Sequence, residues 1–123
     1  MLGMRNRHAP HIDFGELAGA IEENPRFIPS NIDMVYERNG SFLFAEWKRE
    51  GETFSTGQKI LLFALSKLPG VFVLIITGDT DDGMRVTNIQ KITKNGSLKH
   101  VGSSVEDLKN LVRKWYDFVD SKQ

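Results

Sequence analysis

Cysteine is absent from the 123 residues of the chain. Its absence excludes disulfide scaffolds, zinc–thiolate sites, iron–sulfur clusters and thiol nucleophiles together. It also fits a reducing compartment, and a cytoplasmic location is the expectation. Long apolar runs are lacking as well. A run such as Val71 to Ile76 is far too short to span a membrane, so no membrane partner is expected. The opening stretch MLGMRNRHAPH is polar and basic, without the apolar core of a signal peptide. Residues 1–12 are read as a mobile basic segment and residues 13–123 as one domain. An excess of one charge is missing too: 16 basic residues balance 16 acidic ones. Bulk charge therefore does not advertise a nucleic-acid partner. No internal repeat, Walker loop, dinucleotide fingerprint or serine-nucleophile elbow occurs.

What is present suffices for one packed core, with 40% of residues hydrophobic. The charge is uneven along the chain, −4 over residues 1–83 and +4 over residues 84–123. An acidic half beside a basic half suits a metal site next to a phosphate-binding surface. Asp13 to Glu23 reads as a short helix with Phe14, Leu17, Ala18 and Ile21 as its apolar stripe. A weak edge strand is expected over residues 26–30. Asn31 to Glu37 and Phe42 to Lys48 read as strands joined by Asn39-Gly40, a strong hairpin signal. Ser55 or Thr56 caps a helix to about Lys67, stopped by Leu68-Pro69-Gly70. Val71 to Thr77, apolar on both faces, reads as a central strand. Arg85 to Thr93 is another strand, with Asn95-Gly96 as a turn after it. Ser103 and Glu106 form a capping box for a last helix to about Val119. Its buried stripe is Leu108, Leu111, Val112, Trp115, Phe118 and Val119. The expected class is α/β, a mixed sheet with a β-hairpin flanked by helices.

The hairpin permits a register calculation. With Asn39 and Gly40 as the loop, Arg38 pairs with Ser41, and counting outward brings Asp33 opposite Glu46. Opposed side chains share a face, with Cβ atoms roughly 4.5–5.5 Å apart. Two carboxylates so placed repel, and a divalent cation between them reverses the sign. Lys48, two residues beyond Glu46, projects from the same face. Ile32, Met34, Leu43, Ala45 and Trp47 alternate onto the other face, so the charges border an apolar surface. A carboxylate pair suits Mg²⁺, with Mn²⁺ as a second choice. The metal lowers the pKa of a bound water and neutralises charge building on a phosphate, and a lysine stabilises the same charge.

Asp33 followed by Glu46-Trp47-Lys48 on a hairpin resembles the D…E-x-K signature of the PD-(D/E)xK nuclease superfamily. The stretch Gly51-Glu52-Thr53-Phe54-Ser55-Thr56-Gly57-Gln58, a helix, and then Gly70 and Val71 to Ile76 resemble its virus-type replication–repair (VRR-NUC) branch. The resemblance covers roughly residues 13–77. It implies a restriction-endonuclease-like core and a metal-dependent nuclease acting on DNA, an endonuclease of repair, recombination or phage replication. Asp33 and Glu46 would then be metal ligands, Lys48 the catalytic lysine, and Gln58 a neighbour in the active site. Gln58 also shares a helical stripe with Leu61, Leu62 and Leu65, which turns it toward the sheet. An acidic residue on the first helix often completes the site in relatives; Glu16, Glu22 and Glu23 are the candidates, with Glu22 nearest the apolar stripe. Two features depart from the family pattern: Ile32 stands where the family has proline before the aspartate, and the family's first core strand is not evident.

Lys91, Lys94, Lys99 and Arg113 are the candidate contacts to a nucleic-acid backbone. The small size of the domain makes a homodimer an expectation. Asp79-Thr80-Asp81-Asp82-Gly83 resembles the start of a calcium loop, but Gln90 stands where the twelfth-position glutamate is needed, so it reads as an acidic turn. His8 and His11 fall in the terminal segment, and His100 is a loop residue within reach of a phosphate. The competing functional reading is a non-catalytic nucleic-acid-binding or protein-interaction module that keeps the nuclease fold.

Overall fold

Asn39 and Gly40 adopt left-handed backbone conformations, with φ of 53° and 82°. That is what a two-residue type I′ turn requires, and its twist matches that of the strands it joins. The turn connects β1 (Met34–Arg38) to β2 (Ser41–Lys48). The antiparallel register pairs Arg38 with Ser41 and Met34 with Ala45, as counting outward from the loop predicts. The computed structural model describes residues 15–27, 29 and 32–121.

By internal contacts the chain forms two compact units, Met1–Asn31 and Ile32–Gln123. The division falls within the stretch 13–123 expected to form one domain, and the terminal segment 1–12 lies outside the described residues. In the first unit the expected helix over 13–23 is not formed. Asp13 and Phe14 lie outside the described residues, and the rest holds one 3₁₀ turn, Gly15–Leu17, followed by turns. Gly19 has φ 86°, and its N–H donates to the Pro25 carbonyl at 2.9 Å. An α-helix cannot pass through a left-handed residue. Leu17 and Ile21 are exposed, so apolar burial does not reward a helix there. The described residues among 26–30 form no strand either.

The second unit carries the α/β architecture expected from the sequence. Helix α1 (Thr56–Ser66) follows β2, then come β3 (Val71–Asp79), β4 (Arg85–Ile92), β5 (Leu98–Gly102) and helix α2 (Val105–Asp120). The sheet order is β1-β2-β3-β4-β5, with β2 and β3 parallel and the other neighbours antiparallel. Strand β5 was not expected; Asn95-Gly96 turns β4 back into it. One sheet face packs Leu43, Ala45, Leu74, Ile76 and Ile89 against Leu108, Trp115 and Val119 of α2. The other packs Val71, Val73, Ile75 and Ile92 against Leu62 of α1. Burial of β3 on both faces explains its unbroken apolar run.

Two helix details differ from expectation. Ser104, not Ser103, caps α2: its hydroxyl accepts from the Asp107 N–H at 3.1 Å. The Asp107 carboxylate accepts from the Ser103 N–H at 2.9 Å, so Asp107 serves the first turn in place of Glu106. Phe118 is 49% exposed rather than part of the buried stripe. It meets Phe72 edge-on at 6.0 Å. Among the described residues no helix is long and apolar enough to cross a membrane.

Candidate active site

The hairpin register, together with the cap of α1, builds the site. Ser55 caps α1 by accepting from the Gln58 N–H at 3.2 Å, and the Gln58 side chain accepts from the Ser55 N–H at 3.4 Å. This reciprocal box fixes Gln58 in the first turn with its amide toward β2. The amide Nε2 donates to Glu46 Oε2 at 2.9 Å, and its Oε1 accepts from Lys48 Nζ at 3.0 Å. One side chain thus joins the two charged residues of the E-x-K triplet. The Lys48 ammonium also lies 4.6 Å from the centre of the Phe54 ring.

Asp33 reaches the cluster from just before β1. Its N–H donates to Glu46 Oε1 at 3.4 Å, and its Oδ2 accepts from the Trp47 N–H at 2.9 Å. Asp33 and Glu46 are therefore neighbours, although the strand pairing itself ends at Met34 and Ala45 and Asp33 turns its carboxylate to the Trp47 N–H. Glu46 is only 4% exposed. Burial, and after it the negative charge of Asp33, push its carboxyl pKa up to about 7; the Asp33 N–H and the Lys48 charge oppose the shift. The rim is tied down from the neighbouring hairpin. Arg49, just after β2, holds Asp81 with two bonds of 2.6 and 2.7 Å, and Thr87 donates to Glu50 at 2.6 Å. The acidic stretch 79–83 is a turn engaged in such pairs, Asp79 with Arg85 at 2.6 Å among them.

Comparison with known protein families, with curated proteins and with solved structures returns no match.

The structure separates the expected backbone-binding residues from this cluster. Glu46 pairs with Ile75, Ile75 with Gln90, and Gln90 with His100, which places that row on the α1 face. Lys91 pairs with Leu74 and with Lys99, which places both lysines on the α2 face. Lys94 donates to the carbonyls of Leu68 and Val71, both at 2.7 Å, and so holds the turn between α1 and β3. Burial and the nearby Lys91 lower its pKa. Arg113 pairs with Asp117 one turn along α2. Glu22 is exposed on a turn of the N-terminal unit. Among the described residues no group of three or more His, Asp or Glu side chains gathers as a metal site.

Other residues share the Glu46 face. Lys48 pairs with Thr77 and Thr77 with Asn88, beside the row of Gln90 and His100. The His100 ring, expected in a loop, lies on β5 with Nδ1 2.7 Å from Asn88 Oδ1. Sequence reading missed this polar strip because its assembly depends on β5 and on register shifts. One falls between Thr77 and Gly78, the other between Ile89 and Gln90. Asn88 and Gln90, on either side of Ile89 in β4, were the signal available.

Proposed function

We propose that the protein is a metal-dependent nuclease that hydrolyses phosphodiester bonds in DNA, as the PD-(D/E)xK resemblance implies. One observation carries the reading. A nearly buried carboxylate, Glu46, stands against a second acid and has its ionisation suppressed to about pH 7. Such an arrangement destabilises a fold unless a positive charge offsets it. The donor set is all oxygen, which suits a hard cation such as Mg²⁺ or Mn²⁺. Asp33 and Glu46 would hold it. When bound, the ion supplies Lewis acidity to a phosphate oxygen and to a water.

The chain's own residues account for the rest. Gln58 orients the Glu46 carboxylate and fixes the Lys48 ammonium through its two amide atoms. Lys48, so held, offers positive charge to the phosphate as negative charge grows on it. Thr77, Asn88, Gln90 and His100 extend the same face as polar surface along which a nucleic-acid strand can lie. Asp33→Ala and Glu46→Ala are expected to abolish cleavage of plasmid or branched DNA in Mg²⁺ while leaving the circular dichroism spectrum unchanged. Parental rates in either variant, or an inert parent with Mg²⁺ and with Mn²⁺, would overturn the proposal.

One observation favours a second reading, a non-catalytic nucleic-acid-binding or protein-interaction module. The Glu46, Gln58 and Lys48 side chains already hydrogen-bond to one another without a metal. That reading predicts an inert protein whose melting temperature ignores Mg²⁺, with any nucleic-acid binding falling steeply as salt rises.

A further inference from the structure

On the opposite sheet face, a cavity of about 180 Å³ opens between β2, β3, β4 and the C-terminal half of α2. Leu43, Phe72, Leu74, Leu111, Trp115 and Phe118 line it, with Lys91 and Lys114 also in its wall. The wall is apolar apart from these two lysines. Its volume is close to the ~150 Å³ of a protein cavity that takes up benzene.

The charge around it is one-sided. The Lys91 and Lys94 ammonium groups lie 5.3 and 5.4 Å from the centre of the same Phe72 ring. Among the described residues, Lys91, Lys94 and Lys114 form no salt bridge.

We propose that this cavity binds a small amphipathic oxyanion. Its apolar body, about one aromatic ring in size, sits among Phe72, Leu74, Leu111 and Trp115. Its carboxylate or phosphate is held by Lys91 and Lys114. Lys94 is already committed to the Leu68 and Val71 carbonyls and adds only its field. The site lies on the face away from Glu46 and does not depend on the nuclease reading.

The test uses phenyl phosphate, benzoate and neutral benzyl alcohol, titrated into the full chain and followed by amide chemical shifts. Both anions are expected to bind saturably, with shifts centred on Phe72, Leu74 and Leu111. Benzyl alcohol should bind about tenfold more weakly, as should both anions to the Lys91→Gln/Lys114→Gln double variant. Whichever of phenyl phosphate and benzoate binds more tightly identifies the anionic group. Leu111→Trp, which fills the cavity, should abolish binding. The surface double variant keeps the test decisive if that packing change unfolds the protein. Absence of saturable binding, shifts centred elsewhere, or equal affinity for the neutral probe or the lysine variant overturns the proposal. Two further results overturn it: an oligonucleotide displacing phenyl phosphate from these residues, or self-association that closes the cavity to it.

Discussion

The Gln58 amide donates to Glu46 across 2.9 Å and accepts from Lys48 across 3.0 Å. It therefore offsets part of the cost of burying the carboxylate. It does not offset all of it, since the Glu46 pKa still stands near 7. The backbone that presents Gln58 is the N-terminal box of α1, so a local capping rule and the geometry of the charged cluster rest on the same residue.

The raised Glu46 pKa makes stability pH-dependent. The folded state holds this proton more tightly than the unfolded chain. The contribution of this group to stability is therefore greatest below the ordinary carboxyl range, where both states are protonated. It falls as pH rises from about 4.5 through about 7. Glu46→Gln removes the buried charge and keeps an oxygen for Gln58. Without added metal it should stabilise the protein by about 1–3 kcal/mol at pH 8 and by little at pH 5. Urea unfolding at the two pH values measures this, and a less stable Glu46→Gln at pH 8 contradicts it.

On the proposed reading, proton and cation compete for Glu46. The melting-temperature increase given by Mg²⁺ should accordingly be larger at pH 8 than at pH 6. At a hundredfold excess over Kd, saturation adds about 2.7 kcal/mol. Asp33→Asn should lose most of the increase. An equal effect of Mg²⁺ at both pH values would separate metal binding from this carboxylate.

On the proposed reading, Lys48 serves the chemistry rather than the metal. Lys48→Met should lower the cleavage rate by about 10²–10³-fold, with the Mg²⁺-induced stabilisation retained. Loss of both together would place Lys48 in the metal-binding framework instead.

Gln58→Ala deletes the donor to Glu46 and half of the capping box. A destabilisation of about 1–3 kcal/mol is expected. The Glu46 pKa should rise further, because a bond to the ionised form is lost. An NMR titration of the Glu46 side-chain carboxyl reads the second effect directly. An unchanged titration would show that Gln58 caps the helix without acting on the acid.

What could be read from the sequence was whatever depends on near neighbours. Asn39-Gly40 determined the turn and, through strand alternation, that Asp33 would meet Glu46 with Lys48 on the same face. Ser55 or Thr56 marked where α1 begins, and the apolar run from Val71 marked the central strand. These features follow from turn conformation, capping and side-chain period, which act over a few residues. Tertiary structure alone decided the rest. It set Lys91 and Lys99 on the face away from Glu46, turned Lys94 onto two carbonyls, and brought Thr77, Asn88 and His100 together. It also left Leu17 and Ile21 without a helix. Each of these outcomes depends on strand order, on a register shifted by a bulge, or on whether a core lies within reach. Such relations join residues far apart in the chain, and no local pattern encodes them.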